Sequence, residues 1–157
     1  MATKVAKSKR PEAERATEHA LVELFDCVAT RRALRTKFAK VDFFAADVIG
    51  VRPTGERLWV QVTAGQIGAV RARRLKLEAY PWHPSDRVFV WQLTFRQSVR
   101  RPNAKDWFFR VWEYAPSWED GKRDWTDKCD PITVPTRWFK VLHSESSAAS
   151  ASSSSSS

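Results

Sequence analysis

The sequence has few of the residues that build covalent or metal-held frameworks. Its two cysteines, Cys27 and Cys129, lack CxxC spacing, and its three histidines lie far apart, so we expect neither a disulfide framework nor a zinc site. No apolar run approaches the ~20 residues that span a bilayer, and no hydrophobic signal core follows the first basic residues. The absence of a glycine-rich phosphate loop and of a GxSxG motif disfavours a nucleotide triphosphatase or an acyl hydrolase. We expect a reduced, cytoplasmic protein without a membrane partner.

Basic residues and tryptophan, by contrast, are abundant. Lys and Arg number 27 against 18 Asp and Glu, which gives a net charge of +9, and there are eight tryptophans. Such a charge favours a polyanionic partner, most commonly nucleic acid, although solubility or host composition also produces basic proteins. The tryptophans indicate an aromatic-rich core, a stacking surface, or both. Those that fall in strand patterns, and that we expect in the core, are Trp59, Trp91, Trp107 and Trp112.

The length and the local composition predict one domain with two tails. Residues 1–10 are small, basic and unpatterned, which is typical of a flexible arm. Residues 11–143 are long enough for a single domain with one core. Residues 144–157 consist mostly of Ser and Ala, so we expect a disordered tail there.

Hydrophobic periodicity predicts the order of the elements. Apolar residues recur at helical spacing over residues 11–26, whereas residues 27–38 are typical of a basic edge strand and a loop. Residues 43–51 and 58–63 are rich in β-formers and flank the turn Pro53-Thr54-Gly55, which predicts a hairpin.

The second half of the chain continues with a helix and further strands. A strongly basic helix is predicted over residues 66–80, and Pro81 ends it. The run RVFVWQLTF, residues 87–95, predicts a mostly buried strand. Two more strand candidates are residues 107–114 and 137–142.

This order of elements and the segment AADVIGVRPTGERLWVQVTAG together resemble the PD-(D/E)XK nuclease superfamily, in particular its Holliday-junction-resolvase-like and phage-encoded members. The resemblance covers roughly residues 12–95. It implies an α/β fold with a restriction-endonuclease-like αβββαβ core, in which helices flank a mixed sheet. In that superfamily an Asp on one hairpin strand is followed, on the next strand, by Glu or Asp, one residue, and Lys. Asp47 falls on the first position, and Gln61, Val62 and Thr63 fall on the others.

The resemblance implies that the catalytic residues are Asp47, Gln61 and Thr63, with Mg²⁺ held by Asp47, Gln61 and a first-helix acid, Glu18 or Glu14. Two residues depart from the motif: Gln61 is neutral where a carboxylate is usual, and Thr63 cannot replace an ammonium group. A cation of the second helix would then have to take that role. The alternative interpretation is that Asp47 is bonded to a turn at a hairpin end, while Gln61 and Thr63 face solvent.

Two clusters of basic residues are the candidates for phosphate binding. One precedes the hairpin and the other lies on the second helix, and a solvated loop and helix face are the alternative interpretation. The candidate nucleic-acid-binding residues are Arg31, Arg32, Arg35, Lys37, Lys40, Arg71, Arg73, Arg74 and Lys76.

The sequence therefore predicts a DNA-binding, PD-(D/E)XK-like nuclease or resolvase-related protein, which hydrolyses phosphodiesters with Mg²⁺ if it is active. The alternative is a non-catalytic nucleic-acid-binding or protein-interaction module on a degenerate nuclease fold. A third reading is an accessory protein whose basic surface meets an acidic protein. A homodimer is implied by analogy with resolvase-like members.

Overall fold

A computed structural model describes residues 9–35, 40–41, 46–65, 67–126 and 129–141. Residues 1–8 of the expected arm, the expected tail 144–157, Lys37 and the side chains of Arg35 and Lys40 lie outside the described part. Within it, the protein is α/β, with two α-helices and a mixed, seven-stranded sheet. In chain order, the elements are α1 (Arg10–Phe25), β1 (Ala29–Arg32), β2 (Leu34–Arg35), β3 (Lys40–Val41), β4 (Val48–Val51), β5 (Arg57–Thr63), α2 (Ile67–Glu78), β6 (Arg87–Gln97), β7 (Lys105–Pro116), β8 (Arg123–Thr126), β9 (Ile132–Thr133) and a 3₁₀ helix (Thr136–Phe139).

The main sheet has the strand order β1-β4-β5-β6-β7-β8, with β9 paired to β7, and β2 pairs with β3 in a separate ladder. β1, β4 and β5 are successively antiparallel. α2 then carries the chain across to β6, which is parallel to β5, and β7 returns antiparallel to β6. The predicted first helix, basic helix and buried strand are confirmed. The edge strand is confirmed over β1 and the hairpin over β4 and β5, while residues 36–38 and 43–45 of these predictions lie outside the described part.

The turn between β4 and β5 explains why this hairpin could be predicted from the sequence. Gly55 has a φ of +87°, a conformation that side chains with a Cβ rarely adopt. The N–H of Arg52 donates to the carbonyl of Glu56 at 2.9 Å, and their side chains form an ion pair, also at 2.9 Å. Pro53 and Gly55 thus supply the two backbone constraints that the turn needs.

Two hydrophobic clusters lie on opposite faces of the sheet, as the alternation of side chains along a strand requires. On one face, Leu21 of α1 packs with Val60 and Val62 of β5. On the other, Val70 of α2 packs with Trp59, again of β5. The two faces are called the α1 face and the α2 face below.

The tryptophan predictions are confirmed in part. Trp59 and Trp91 are buried core residues, whereas Trp107 and Trp112 are half-buried at the margins of the two clusters. Trp138 is also buried, and it was not predicted.

The prediction of a strand over residues 137–142 is wrong for residues 137–141, and residue 142 lies outside the described part. Residues 137–139 belong to the 3₁₀ helix Thr136–Phe139, which follows Pro135 in an extended conformation, and the N–H of Trp138 donates to the carbonyl of Pro135 at 3.0 Å. The indole of Trp138 stacks on His19 of α1, with ring centroids 6.3 Å apart. Burial of Trp138 against α1 favours a short 3₁₀ turn over a β-strand with alternating side chains.

Among the described residues, neither α-helix is long and apolar enough to cross a lipid bilayer.

Candidate nucleic-acid interface

Asp47 is fully buried beside the first residue of β4. Its N–H donates to the carbonyl of Val60 at 3.0 Å, and its Oδ2 accepts a hydrogen bond from the N–H of Val62 at 2.9 Å. Its Oδ1 lies 3.4 Å from Nη2 of Arg10, in the first turn of α1. Asp47 therefore bonds to β5 on both sides of Gln61 and also ties α1 to the sheet.

Gln61 and Thr63 lie on the α2 face, because they alternate along β5 with Val60 and Val62, which face α1. Both are buried, so the interpretation that they face solvent is wrong. Neither the amide oxygen nor the amide nitrogen of Gln61 has a hydrogen-bond partner. The hydroxyl of Thr63 accepts a hydrogen bond from the N–H of Gly65 at 3.1 Å, which is a role in the loop that leads to α2.

A second buried glutamine lies next to this pair. Gln92 is the register partner of Thr63 on the parallel strand β6, and its Nε2 donates to the carbonyl of Gly65 at 2.7 Å. Its Oε1, like the amide of Gln61, has no partner. Thr94, two residues further along the same face, is also buried. The α2 face thus carries a short row of buried neutral polar side chains past the end of its apolar cluster.

Glu18, the acid expected on the first helix, is engaged elsewhere. Its Oε1 lies 2.8 Å from Nε of Arg32, and its Oε2 accepts a hydrogen bond from the hydroxyl of Thr30 at 2.7 Å. Both partners are on β1, whereas Gln61 points away from α1. The backbone of Asp47, directly before β4, bonds to β5 beside Gln61, but the structure does not bring Glu18 to these residues.

The magnesium site that the resemblance implies does not fit Asp47, Gln61 and Glu18 as the structure places them. The carboxylate of Asp47 is bonded to Val62 and faces Arg10, Gln61 is neutral, and Glu18 is paired with Arg32. In the part of the chain that the structure describes, no three His, Cys, Asp or Glu side chains are grouped so as to hold a metal ion.

The basic residues of α2 lie beside an aromatic strand. Arg71 and Arg74 line an open pocket of about 310 Å³ together with Trp112 of β7. The guanidinium of Arg74 lies 4.8 Å from the ring centre of Trp125, which fixes it over that indole. Arg73 and Lys76 are half-buried. We call this pocket the α2 pocket; its remaining lining residues are Val70, Leu75 and Glu78.

The first predicted basic cluster is less available. Arg31 is exposed, but Arg32 is neutralised by Glu18 at 2.8 Å. Because Arg31 and Arg32 alternate along β1, they point to opposite faces of an edge strand.

A third basic cluster, which was not predicted, lies on the β6–β7 hairpin. The ten residues 96–105 include four basic and no acidic side chains, and that local imbalance was a usable signal. The four cations line a groove of about 690 Å³ together with Trp107, Phe108 and one acid, Asp106, which is the register partner of Arg96. They are Arg96, Arg100, Arg101 and Lys105.

In comparisons with known proteins, no protein-family model matches the chain, and neither a curated protein nor a solved structure matches it significantly.

Proposed function

We propose that the chain is a nucleic-acid-binding protein, with DNA as its partner, built on a restriction-endonuclease-like αβββαβ core that has lost metal chemistry. The order α1, β1, β4, β5, α2, β6 supports this core, since three antiparallel strands are followed by a crossover helix and a parallel strand. The two-residue strands β2 and β3 form a separate ladder and leave that order intact.

The observation that carries the proposed binding is the α2 pocket. Arg71 and Arg74 line this pocket together with Trp112, and the one acid in its lining is Glu78. Guanidinium groups bind phosphate oxygens in bidentate geometry, and an indole offers a face or an edge to a base or sugar. The net charge of +9 adds a general attraction for a polyanion.

The loss of metal chemistry is inferred from Gln61. An amide at this position contributes no charge to a cation, and its side chain lies on the face opposite α1. Because Gln61 is completely buried, a structural role in the core explains it more simply than a role as a metal ligand.

Fluorescence anisotropy with labelled duplex and single-stranded DNA tests the proposal. Arg71→Gln/Arg74→Gln should weaken binding by roughly tenfold or more at 0.1 M salt. At this salt concentration each lost phosphate contact lowers the association constant by nearly tenfold. The matched control is Arg57→Gln/Lys122→Gln, which removes the same charge from two exposed residues outside the pocket. Equal losses in both variants would contradict a role for the α2 pocket, and failure of the parent to bind any nucleic acid would contradict the proposed function.

Metal-dependent phosphodiester hydrolysis is the second candidate function, and one observation favours it. Glu14 and Asp47 are both buried acids, and Glu14 lies one turn after Arg10, the residue that contacts Asp47. Incubation of labelled duplex and four-way-junction DNA with Mg²⁺ or Mn²⁺ separates the two candidates. Cutting that is lost in both Asp47→Asn and Glu14→Gln would establish a nuclease; binding without cutting agrees with the first proposal.

A further inference from the structure

The β6–β7 hairpin extends past the strand on which the core is built. The register of β6 with β5 ends at Gln92, whereas its register with β7 continues to the pair Gln97 and Lys105. β9 still flanks β7 at Phe108 and Phe109, which lie opposite Thr94 and Leu93. The last three pairs, residues 95–97 with 105–107, therefore form a two-stranded ribbon that ends roughly 17 Å beyond the end of β5, at about 3.4 Å per residue.

The tip of this ribbon is a defined turn. The N–H of Ser98 donates to the carbonyl of Ala104 at 3.0 Å, and the hydroxyl of Ser98 accepts from the N–H groups of Arg100 and Arg101, each at 3.3 Å. Asn103 has a φ of +69°, a conformation that Asn tolerates better than most residues. The cations at the tip are thus held on an ordered loop, and little backbone entropy would be lost when they bind.

Cations lie on both faces of the ribbon. Phe95 and Trp107 are register partners on the α1 face, and the ammonium group of Lys105 lies 4.4 Å from the ring centre of Phe95. Arg96 follows Phe95 and points to the α2 face, where its guanidinium lies 5.3 Å from the ring centre of Phe108. The aromatic rings hold both side chains against the ribbon, so that their charges are directed to its two sides.

The shape and the charge of this ribbon select one kind of partner. A flat anionic surface or a single nucleic-acid strand would contact the cations on only one face of the ribbon. The groove of a duplex has phosphates along both walls and could contact the cations on both faces. The major groove of B-form DNA is about 12 Å wide and admits a two-stranded β-ribbon, while the major groove of duplex RNA is too narrow for side chains to enter. Val99, at the tip, is 99% exposed and would face base edges at the floor of the groove.

We propose that the β6–β7 hairpin enters the major groove of duplex DNA, with Arg96 and Lys105 on opposite phosphate walls and Arg100 and Arg101 at its tip. This inference rests on the proposed nucleic-acid binding and names its substrate class. The hairpin is distinct in residues from the α2 pocket, since no side chain lines both.

The test compares Arg100→Gln/Arg101→Gln with the control Arg57→Gln/Lys122→Gln, all four residues being exposed. The tip variant should bind duplex DNA roughly 10- to 60-fold more weakly at 0.1 M salt, and its plot of log K against log salt should be about two units less steep, as expected for two lost phosphate contacts. A single variant, Lys105→Gln, should give a smaller loss in the same direction. Unchanged melting temperatures would show that the variants fold.

Two further arms locate the hairpin. Duplex DNA should bind at least tenfold more tightly than single-stranded DNA or duplex RNA of the same sequence, and the protein should protect guanine N7, in the major groove, from methylation. Equal affinity for the three nucleic acids, or a tip variant that binds like its control, would overturn the inference while the proposed function stands. A parent chain that binds no nucleic acid would overturn both.

Discussion

Asp47 and Val62 are joined by a hydrogen bond of 2.9 Å, in which the N–H of Val62 donates to the buried carboxylate. The same carboxylate lies 3.4 Å from the guanidinium of Arg10. A buried carboxylate is expensive unless hydrogen bonds and an opposite charge compensate it. Asp47 is therefore a structural link between β4, β5 and α1, whatever else it does.

Asp47→Ala should lower the free energy of unfolding by about 2–4 kcal/mol, because it leaves the Val62 N–H and the Arg10 guanidinium without this acceptor. Asp47→Asn keeps an acceptor oxygen for Val62 and should cost less. Urea denaturation of the three proteins measures the order. If Asp47→Ala is as stable as the parent, the link is not structural. Because Asp47→Ala should destabilise the fold, a loss of DNA cleavage in this variant has to be compared with the cleavage by Asp47→Asn.

Gln61→Met should raise the free energy of unfolding by about 1 kcal/mol, since it removes two buried polar atoms that have no hydrogen-bond partner and nearly keeps the side-chain shape. Gln92→Met is the matched control on the adjacent strand. It should be destabilising, because it breaks the 2.7 Å bond to the Gly65 carbonyl. Thermal melts of both variants decide the point. Destabilisation by Gln61→Met as large as that by Gln92→Met would contradict an unpartnered amide.

Gly50→Ala should be destabilising by about 1–3 kcal/mol, the usual cost of overpacking a core. A Cβ at Gly50 would lie 2.7 Å from Sγ of Cys27 and 3.1 Å from Leu21, and Cys27 is itself buried. A double-mutant cycle with Cys27→Ala, read by urea denaturation, measures the coupling. The cost of Gly50→Ala should fall clearly in the Cys27→Ala background. An unchanged cost would place the strain elsewhere.

Burial raises the pKa of the Cys27 thiol above its ordinary value of 9.0, and Asp26 and Glu56 raise it further, against an opposing effect of Arg52. The folded protein therefore retains this proton where the unfolded chain loses it. The resulting stability is complete below pH 9.0 and declines as the pH rises above that value. The free energy of unfolding, measured between about pH 8 and about pH 10.5, should decline less in Cys27→Ala than in the parent. Parallel pH profiles would contradict it.

The fold was largely predictable because its signals are local. The hairpin around Gly55 depends on a turn that few other residues can make, and RVFVWQLTF is apolar enough to be buried on both faces. The 3₁₀ helix Thr136–Phe139 was missed because its cause is distant: Trp138 is buried against His19, more than a hundred residues away in sequence.

The candidate site was less predictable for the same physical reason. The spacing of Asp47 and Gln61 predicted neighbouring strands, and the backbone of Asp47, directly before β4, does bond to β5 at Val60. Its carboxylate, however, bonds to Val62 and lies beside Arg10. The contact between Asp47 and Arg10 spans 37 residues, and no local pattern encodes it. The hairpin cations at residues 96–105 were visible as a charge imbalance, but their presence on both faces of one ribbon depends on the register of β6 with β7.

The most direct test of nucleic-acid binding is the salt dependence of affinity for a labelled DNA duplex between 50 mM and 200 mM salt. The proposal predicts binding at low salt and a linear fall of log K with log salt, with a slope near −0.9 for each phosphate contacted. Absence of binding at 50 mM, or an affinity that does not change with salt, would contradict the central claim and favour an acidic protein or another partner for the basic surface.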